Sequence, residues 1–278
     1  MNILKIAILF ISVYFYSSCS AEKTKNDLIL FNIKGIVKSV KYTVFSGTEK
    51  FGEFQKDNIK NVSVIEFDNK GFILGSNSYN PDGSLNSKSI NKYDPKGNQI
   101  EENDYNSDGS LSQKLSYKYD FNGNQIEANQ YLQNGNLLKK ITKKYDRMGN
   151  VIESWTYKSD GTLYYRHLHK YDSNSNKIET YQYQLSESNF SVKWIYKYDI
   201  KGNKIETNDY TTDGSSITKS IFKYDDRNNM IEVSHNGAFD NSNTTYKYDY
   251  DKIGNWIKKK TFEKGIQTGI IESEIEYF

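Results

Sequence analysis

The sequence predicts an all-β protein of tandem 26-residue β-hairpin repeats, which together form one long curled antiparallel meander sheet. Three observations support this fold class. A turn of the form Asp-x-x-Gly-Asn recurs at a fixed interval, alternating segments separate the turns, and no segment between turns is long enough for a crossover helix. The composition agrees, because Tyr contributes 24 residues and hydrophobic residues make up only 36% of the chain.

The Asp-x-x-(Gly)-Asn turn recurs in eight copies, of which the first, Asp68-Asn69-Lys70-Gly71, is degenerate. They begin at Asp68, Asp94, Asp120, Asp146, Asp172, Asp199, Asp225 and Asp251. Consecutive copies are 26 residues apart, except for one interval of 27. Recurrence at this period indicates a tandem array. The extra residue is placed in a turn near Leu185–Asn189, because loops accept insertions and strand register does not.

A second turn signal divides most copies into two strands. It is found at Asp82-Gly83, Asp108-Gly109, Asn134-Gly135, Asp160-Gly161 and Asp213-Gly214. Asp-Gly and Asn-Gly favour tight hairpins because Gly tolerates positive φ. Each repeat is therefore predicted to run strand, turn, strand, turn, with strands of about eight or nine residues.

Alternation assigns the two faces of the strands. From Leu111 to Tyr119 the odd positions are mostly apolar or aromatic and the even positions are Ser or Lys. In the hairpin that follows, Tyr117 is expected to face Ile126 on the inner face, and Lys118 and Glu127 to form a diagonal pair on the outer face.

Tyr105 does not fit this scheme, since strict alternation from Ile100 points it away from the inner face. Either Tyr105 and its counterparts cover the second face, or a bulge in each such strand turns them inward. We favour the bulge.

The overall shape follows from the length of the array. An aromatic face of sixteen or more strands cannot stay in water, and sheets twist. A spiral or a barrel-like wrap with the aromatic face inside is therefore expected. A membrane-spanning barrel is the rival, but neither face carries a continuous apolar band, and Lys or Glu recurs on the polar one.

The N-terminal residues 1–18 are typical of a lipoprotein signal peptide. Lys5 gives a basic start, and the apolar run Ile6 to Tyr16 is too short to span a bilayer. Cys19, the only cysteine, follows small residues, and this arrangement resembles the bacterial lipobox, which implies cleavage before Cys19 and its lipidation. The alternative is an ordinary signal peptide with an incidental Cys.

Three further segments complete the predicted organisation. Residues 19–27 form a polar tether, residues 28–66 an N-terminal β capping unit, and residues 67–278 the eight repeats with an atypical C-terminal unit.

The recurrent YDxxGN after an aromatic strand resembles the YD repeat of the Rhs family over about residues 67–278. Small bacterial lipoproteins built from such repeats resemble the chain more closely. Rhs units are usually shorter and often carry Gly-Arg where this chain has Gly-Asn. The resemblance implies a long antiparallel sheet wrapped into a shell, and it does not imply the toxin function of large Rhs proteins.

Residues with catalytic or metal-binding chemistry are few. His167 and His169 project to one face of a strand and could bind a metal, although polar substitution in the aromatic stripe is the favoured interpretation. The loop Asp120–Asn124 resembles the start of a calcium loop, but turn capping is favoured there. We therefore expect no metal and no cofactor.

A regular column of glutamates also argues against an enzyme. It consists of Glu101, Glu127, Glu153, Glu179, Glu206 and Glu232. Catalytic carboxylates form a distinct pair in unlike environments, whereas six equivalent residues are typical of a solvated face. The sequence has no nucleophile motif, phosphate loop or zinc-helix signature.

Aromatic residues are the better candidates for binding. Amphipathic rings suit sugar and protein surfaces, although core packing accounts for most strand tyrosines. The candidates are Trp155, Trp194, Tyr105, Tyr131 and Tyr157. Trp155 replaces the Asn103 and Asn129 of earlier copies, which favours a position on the exposed face.

These features predict a lipid-anchored, non-enzymatic β-repeat protein of the bacterial outer membrane, acting as a scaffold or binding module for a glycan or an envelope protein. The face of the outer membrane that it occupies stays open. One alternative is an immunity-type lipoprotein that neutralises a toxin through a tight one-to-one complex. Another is a hydrolase, which requires clustered carboxylates with shifted pKa values in a pocket. The net charge of +2, with Lys and Glu interspersed, argues against nucleic acid.

Overall fold

The computed structural model describes residues 26–50, 53–184, 190–237 and 241–278, and these form one closed antiparallel barrel. Its first nine strands are β1 (Val37–Lys50), β2 (Glu53–Phe67), β3 (Ile73–Tyr79), β4 (Leu85–Tyr93), β5 (Gln99–Asn106), β6 (Leu111–Tyr119), β7 (Gln125–Leu132), β8 (Leu137–Tyr145) and β9 (Val151–Lys158). The other nine are β10 (Leu163–Tyr171), β11 (Lys177–Gln184), β12 (Val192–Tyr198), β13 (Lys204–Tyr210), β14 (Ser216–Tyr224), β15 (Met230–Gly237), β16 (Asn241–Tyr250), β17 (Trp256–Glu263) and β18 (Ile266–Tyr277). The predicted all-β meander is confirmed. No helix in these ranges is long and apolar enough to cross a membrane.

The barrel closes between its first and last strands. Consecutive strands pair all along the chain, and β1 pairs with both β2 and β18. Val40 of β1 lies opposite Ile65 on one side and Ile275 on the other. Of the two predicted shapes, the structure has the barrel. In the predicted capping unit 28–66, the residues of β1 and β2 belong to the same ring of strands, whereas residues 28–36 precede the first strand. The predicted signal peptide, Cys19 and residues 20–25 of the tether lie outside the described residues.

One end of the barrel, here called the Asx-turn end, carries the eight turns that begin at the recurrent Asp residues. In the third copy Asp120 Oδ1 accepts a hydrogen bond from the backbone N–H of Asn124 at 2.8 Å. Asp120 Oδ2 accepts one from the side-chain Nδ2 of Asn124 at 2.9 Å. Gly123 has a φ of 75°, and where Gly is replaced, Ser175 and Asn228 adopt φ values of 62° and 64°. Asp therefore caps a turn that needs one left-handed residue.

Replacing Asp120 by Ala is expected to lower the free energy of unfolding by about 1–2 kcal/mol, because the turn loses two hydrogen bonds to a carboxylate. Asp120→Asn keeps the Oδ1 acceptor for the Asn124 amide and should lose less than half as much. Urea unfolding of the two variants measures the difference. Equal losses would show that the capping hydrogen bond to the amide contributes nothing.

The opposite end, here called the hairpin end, carries the Asp-Gly and Asn-Gly turns. There Gly83, Gly109, Gly135, Gly161 and Gly214 all have φ values between 81° and 84°. The predicted insertion site at residues 185–189 lies outside the described residues.

A β-bulge beside each Asx turn corrects the predicted pairing. Tyr119 lies opposite Gln125 and Lys118 opposite Glu127, which leaves Ile126 as the extra residue. The expected contact between Tyr117 and Ile126 is therefore wrong, and Ile126 remains 39% exposed. The bulge also places Lys118 directly opposite Glu127 rather than on a diagonal.

Tyr105 and its counterparts lie further along the strand than this bulge. The bulge lies at the start of the strand, so regular alternation resumes after it, and Tyr131 shares a face with Glu127 and Asn129. Asn129 Nδ2 donates to Glu127 Oε1 at 2.9 Å on that face. The expectation that a bulge turns Tyr105 inward is wrong, because its own bulge precedes Glu101, and Tyr105 lies on the Lys-Glu face.

Lysines distinguish the luminal face of the wall from the outer face. Burial lowers the pKa of Lys143 and Lys177, which share a face with the strand tyrosines. On the opposite face, Glu101 raises the pKa of Lys92 and Glu127 raises that of Lys118. The tyrosine face is thus the enclosed one, and the Lys-Glu face is in contact with water.

Residues 26–36 form a segment, here called the N-terminal strap, that crosses the Asx-turn end. It begins with a 3₁₀-helical turn at Asp27–Phe31. Asp27 Oδ2 accepts a hydrogen bond from the Ile73 amide at 2.8 Å, and Asn32 Nδ2 donates to the Arg227 carbonyl at 2.9 Å. The strap therefore connects the β2–β3 turn with the β14–β15 turn.

The strap covers the main hydrophobic core. Its Leu28 is 5% exposed and packs with four residues of β1 and β2, namely Val37, Val40, Ile65 and Phe67. Further along, the Lys34 amide donates to Asn255 Oδ1 at 2.7 Å. This core lies inside the barrel at the seam where β1 meets β18.

Candidate binding site in the barrel lumen

The barrel encloses a lumen large enough for a ligand. Eighteen strands about 4.8 Å apart, tilted by about 40°, would enclose a cylinder roughly 35 Å across between backbones. Strand contacts run between neighbours in the ring rather than across it. Barrels of about this strand number hold water in their interior.

A ring of tyrosines lines the lumen near the Asx-turn end. Its members are Tyr93, Tyr119, Tyr145, Tyr171, Tyr198, Tyr224, Tyr250 and Tyr277, each the last inward residue of its strand. Several phenols donate to a carbonyl near the start of the preceding strand, as Tyr119 does to Gln99 at 2.6 Å and Tyr145 to Gln125 at 2.6 Å. These hydrogen bonds fix the rings against the wall.

One side of the lumen wall, formed by β8 to β13, is basic. Burial lowers the pKa of Lys177 to about 8, and repulsion by Lys204 and Lys143 adds to this effect. Burial also lowers the pKa of His169 to about 3, with Lys177 and His167 contributing repulsion. The positive charges of Lys143 and Lys204 therefore repel that of Lys177. A bound anion would reduce this repulsion.

Aromatic rings accompany these lysines. Lys204 Nζ lies 5.6 Å from the ring centre of Tyr196 and 5.4 Å from that of Phe222. Trp194 belongs to the same wall, because it lies opposite Thr180 and Asp209. The predicted binding residue Trp194 is therefore a luminal residue beside the basic cluster.

A smaller acidic patch lies on β5. Glu102 Oε2 accepts a hydrogen bond from the Tyr117 phenol at 3.2 Å, and Asp104 Oδ2 accepts one from Gln113 Nε2 at 2.6 Å. Burial, together with repulsion by Asp104, raises the pKa of Glu102. The pair on β5 thus lies on a different part of the wall from the lysines, which have one carboxylate beside them, Asp209 of β13.

The other predicted binding residues lie on the outer face. Trp155 is opposite Thr142 and Arg166, and Lys144 Nζ lies 4.6 Å from its ring centre. Tyr105, Tyr131 and Tyr157 occupy one column on the same face. The structure therefore divides the five candidates, with only Trp194 inside the barrel.

The histidine pair also faces the lumen. The rings of His167 and His169 are stacked with centres 6.2 Å apart. His167 Nε2 lies 3.1 Å from Gln182 Oε1, and His169 Nδ1 lies 3.0 Å from Thr180 Oγ1. In the described ranges no group of three or more His, Cys, Asp or Glu could hold a metal ion.

The glutamate column forms a regular ion-pair network on the outer face. Glu127 lies 2.8 Å from both Lys118 and Lys140, and Glu101 lies 2.6 Å from Lys92. Hydrogen bonds from Lys118 and Lys140 lower the pKa of Glu127 to about 2. Glu101 and Glu127 thus have the same kind of lysine partners. A catalytic pair, by contrast, has its two carboxylates in unlike environments.

Sequence reasoning missed the basic cluster and the acidic patch. The available signal was the alignment of repeat copies. Lys143 takes the position of Tyr117 in a later copy, and Lys177 and Lys204 take the position of Gln99 and Gln125. Charged residues at inward positions of adjacent copies would have marked one part of the wall.

Comparisons with known proteins give no family. No family model matches the sequence, and no curated protein matches it. Similar solved structures include a porin-like protein from Bacteroides uniformis, 9% identical, with a TM-score of 0.44, covering 86% of this chain and 96% of that one. A porin-like protein from Bacteroides vulgatus is 11% identical, with a TM-score of 0.31, covering 87% of this chain and 98% of that one.

The crystal structure of TcdB2-TccC3-Cdc42 is also similar. It is 14% identical with a TM-score of 0.37, and the match covers 82% of this chain but only 15% of that one. All three TM-scores lie below 0.5, so the similarity supports no assignment of function.

Proposed function

We propose that the protein is a non-enzymatic, lipid-anchored binding barrel of the bacterial envelope that holds an anionic glycan in its lumen. The observation that carries this proposal is the luminal wall itself. Ordered tyrosine rings, Trp194 and a cluster of half-buried lysines share one concave surface.

The chemistry of the wall suits a sugar. Aromatic rings stack on the apolar faces of pyranose rings, and amides, hydroxyls and phenols accept or donate hydrogen bonds to the rest. Lys143 and Lys204 repel Lys177, and Asp209 offsets only the charge of Lys204, so carboxylate or sulfate groups on the glycan would be favoured over neutral sugars.

The outer face supports a barrel surrounded by water rather than by lipid. Glu101, Glu127 and Glu206 each pair with lysines of the two flanking strands. Charged side chains on a lipid-facing wall are strongly unfavourable near the middle of a bilayer. A barrel of this kind would be held at the membrane through the predicted lipid on Cys19.

The two tryptophans provide a matched test. The fragment 20–278, which contains every described residue, is screened on an array of neutral, carboxylated and sulfated glycans. Trp194→Ala is expected to weaken binding of the preferred acidic glycan about ten-fold or more, because a central aromatic anchor is lost. Trp155→Ala, on the opposite face, should leave the affinity unchanged.

The reverse result would contradict the luminal site. If Trp155→Ala abolishes binding and Trp194→Ala does not, the outer column with Tyr105, Tyr131 and Tyr157 is the binding surface. A single stoichiometric protein captured from envelope extract, without glycan binding, would favour an assembly or immunity role instead.

A hydrolase is a second candidate because of one observation, the luminal pair Glu102 and Asp104 with the raised pKa of Glu102. Such a pair is the feature that a glycan hydrolase requires. Incubation of the bound glycan with the fragment, followed by product analysis, separates the two candidates. The binding proposal predicts intact glycan, whereas cleavage that disappears in Glu102→Gln would establish the enzyme.

A further inference from the structure

Three consecutive lysines of β17 point to alternate faces of the barrel wall. Lys258 and Lys260 lie on the outer face, where Lys258 Nζ is 3.1 Å from Glu272 Oε1 and Lys260 Nζ is 3.3 Å from Asp249 Oδ2. Lys259, between them, points into the lumen, because successive side chains of a strand alternate. Within the part of the chain that the structure describes, Lys259 is the one of the three without a salt bridge.

Aromatic rings lie beside the ammonium group of Lys259. Its Nζ is 4.1 Å from the ring centre of Tyr246 and 5.9 Å from that of Tyr248. The ring centres of Tyr248 and Trp256 are 6.2 Å apart, and Trp256 stacks on Tyr42 with centres 5.3 Å apart. These five residues, here called the Lys259 site, come from β1, β16 and β17, beside the seam of the barrel.

No acidic neighbour compensates for the burial of Lys259. Burial is the cause of a lowered pKa at Lys259. Glu263, the next acid on this face of β17, is four residues further along the strand and exposed. An aromatic ring attracts an ammonium group but leaves its N–H donors without a strong acceptor. These donors are therefore available to a ligand in the lumen.

Lys259 also departs from the pattern of the repeat. One of the seven earlier copies carries a charge at this position, and the other six carry a small or β-branched uncharged residue. In chain order these residues are Ser76, Glu102, Ala128, Ser154, Thr180, Thr207 and Val233. The hairpin therefore forms without a long side chain there, and the fold alone does not account for the lysine.

We propose that the Lys259 site binds the carboxylate of a ligand that also carries a ring, such as an acidic sugar or an aromatic acid. The carboxylate accepts hydrogen bonds from Lys259 Nζ, and the ring lies against Tyr248 and Trp256. Tyr42 supports Trp256 through their stacked contact. The basic cluster described above belongs to β8, β11 and β13, so this second site goes beyond the proposed glycan site.

The fluorescence of Trp256 measures this binding directly. The chain has three tryptophans, so fragment 20–278 with Trp155→Phe and Trp194→Phe retains Trp256 alone. This fragment is titrated at constant ionic strength with glucuronate and benzoate, and with glucose and benzyl alcohol as neutral counterparts. Because Trp194 is absent, the result does not depend on the proposed glycan site.

A saturable change in emission is expected with at least one of the two acids. Its midpoint should lie at a concentration about ten-fold or more below that of the neutral counterpart, because the neutral molecule lacks the charge that pairs with Lys259. The acid that binds shows whether the ring is that of a sugar or an aromatic. No saturable change with either acid would overturn the proposal.

Three lysine variants in the same fragment test which residue is responsible. Lys259→Met is expected to weaken binding about ten-fold or more, because the carboxylate loses its cation. Lys258→Met, on the outer face, and Lys143→Met, on the basic wall, should leave the affinity unchanged. An equal loss in Lys258→Met would indicate a general effect of charge, and a loss in Lys143→Met alone would assign the acid to the basic wall. Either result contradicts the Lys259 site.

Urea unfolding separates a binding role from a structural one. Lys259→Met removes a half-buried charge without an acidic partner, so its urea midpoint should be at least that of the parent fragment. A lower midpoint together with an unchanged ligand affinity would assign Lys259 to the stability of the wall and overturn the proposal.

Discussion

Phe67→Ala is expected to lower the free energy of unfolding by about 3–5 kcal/mol, the range typical of a fully buried Phe. Phe67 is 2% exposed and packs with Leu28, Val37 and Val40. The ring of Phe31, from the strap, meets it edge to face with ring centres 6.4 Å apart. Its loss would leave a cavity at the seam where β1 closes the barrel.

The matched control for this prediction is Phe121→Ala. Phe121 is the same residue type but is 88% exposed at the tip of an Asx turn, so its replacement should change stability by less than about 0.5 kcal/mol. Urea unfolding measures both variants. A loss at Phe67 no larger than that at Phe121 would mean that the strap and the seam contribute little to stability.

The repeat made most of the architecture predictable from sequence. Asp120 and its counterparts mark a turn by capping it, and Gly123 or its replacement supplies the left-handed residue, so the turns have a local chemical cause. Alternation between these turns then assigns inner and outer faces. Such features survive in a single sequence because they depend on neighbouring residues only.

The bulge at Ile126 was harder to predict. The residues Gln125 and Ile126 both fit a strand, and nothing local states which of them is unpaired. Because Lys118 pairs directly with Glu127, the bulge changes the faces of Gln125 and Ile126 only. Tyr105 and Tyr131 stay on the outer side that strict alternation gives them, so the expected second bulge was not needed.

Closure and the luminal site depend on contacts between distant residues. The seam joins β1 to β18, more than 200 residues apart, and is covered by Leu28 of the strap. Lys143, Lys177 and Lys204 come from three different repeats, and each looks like an ordinary polar substitution by itself. Only the ring of strands brings them to one wall.

The outer ion-pair network makes the stability of the barrel sensitive to acid. The pKa values of Glu101, Glu127, Glu179 and Glu206 are each lowered to about 2, mainly by hydrogen bonds from lysines, although burial acts against this at all four and most strongly at Glu179. A carboxylate whose pKa is lower in the folded state stabilises the fold above its unfolded value of about 4.5. That contribution is lost as the pH falls towards 2. The urea midpoint is therefore expected to be constant above about pH 5.5 and to fall steeply between pH 4.5 and 2.

Two conservative substitutions with opposite expected signs test this origin. Glu127→Gln should cost about 1 kcal/mol at pH 7, because the lysine ends of both ion pairs are in water, and almost nothing at pH 2, where Glu127 becomes protonated. Luminal Glu102 has a raised pKa from burial, so its charged form opposes folding and Glu102→Gln should stabilise the barrel at pH 7. Urea midpoints measured from pH 2 to 8 give both profiles. If Glu127→Gln loses as much stability at pH 2 as at pH 7, its role is packing, and the acid sensitivity must come from the Asp caps of the turns instead.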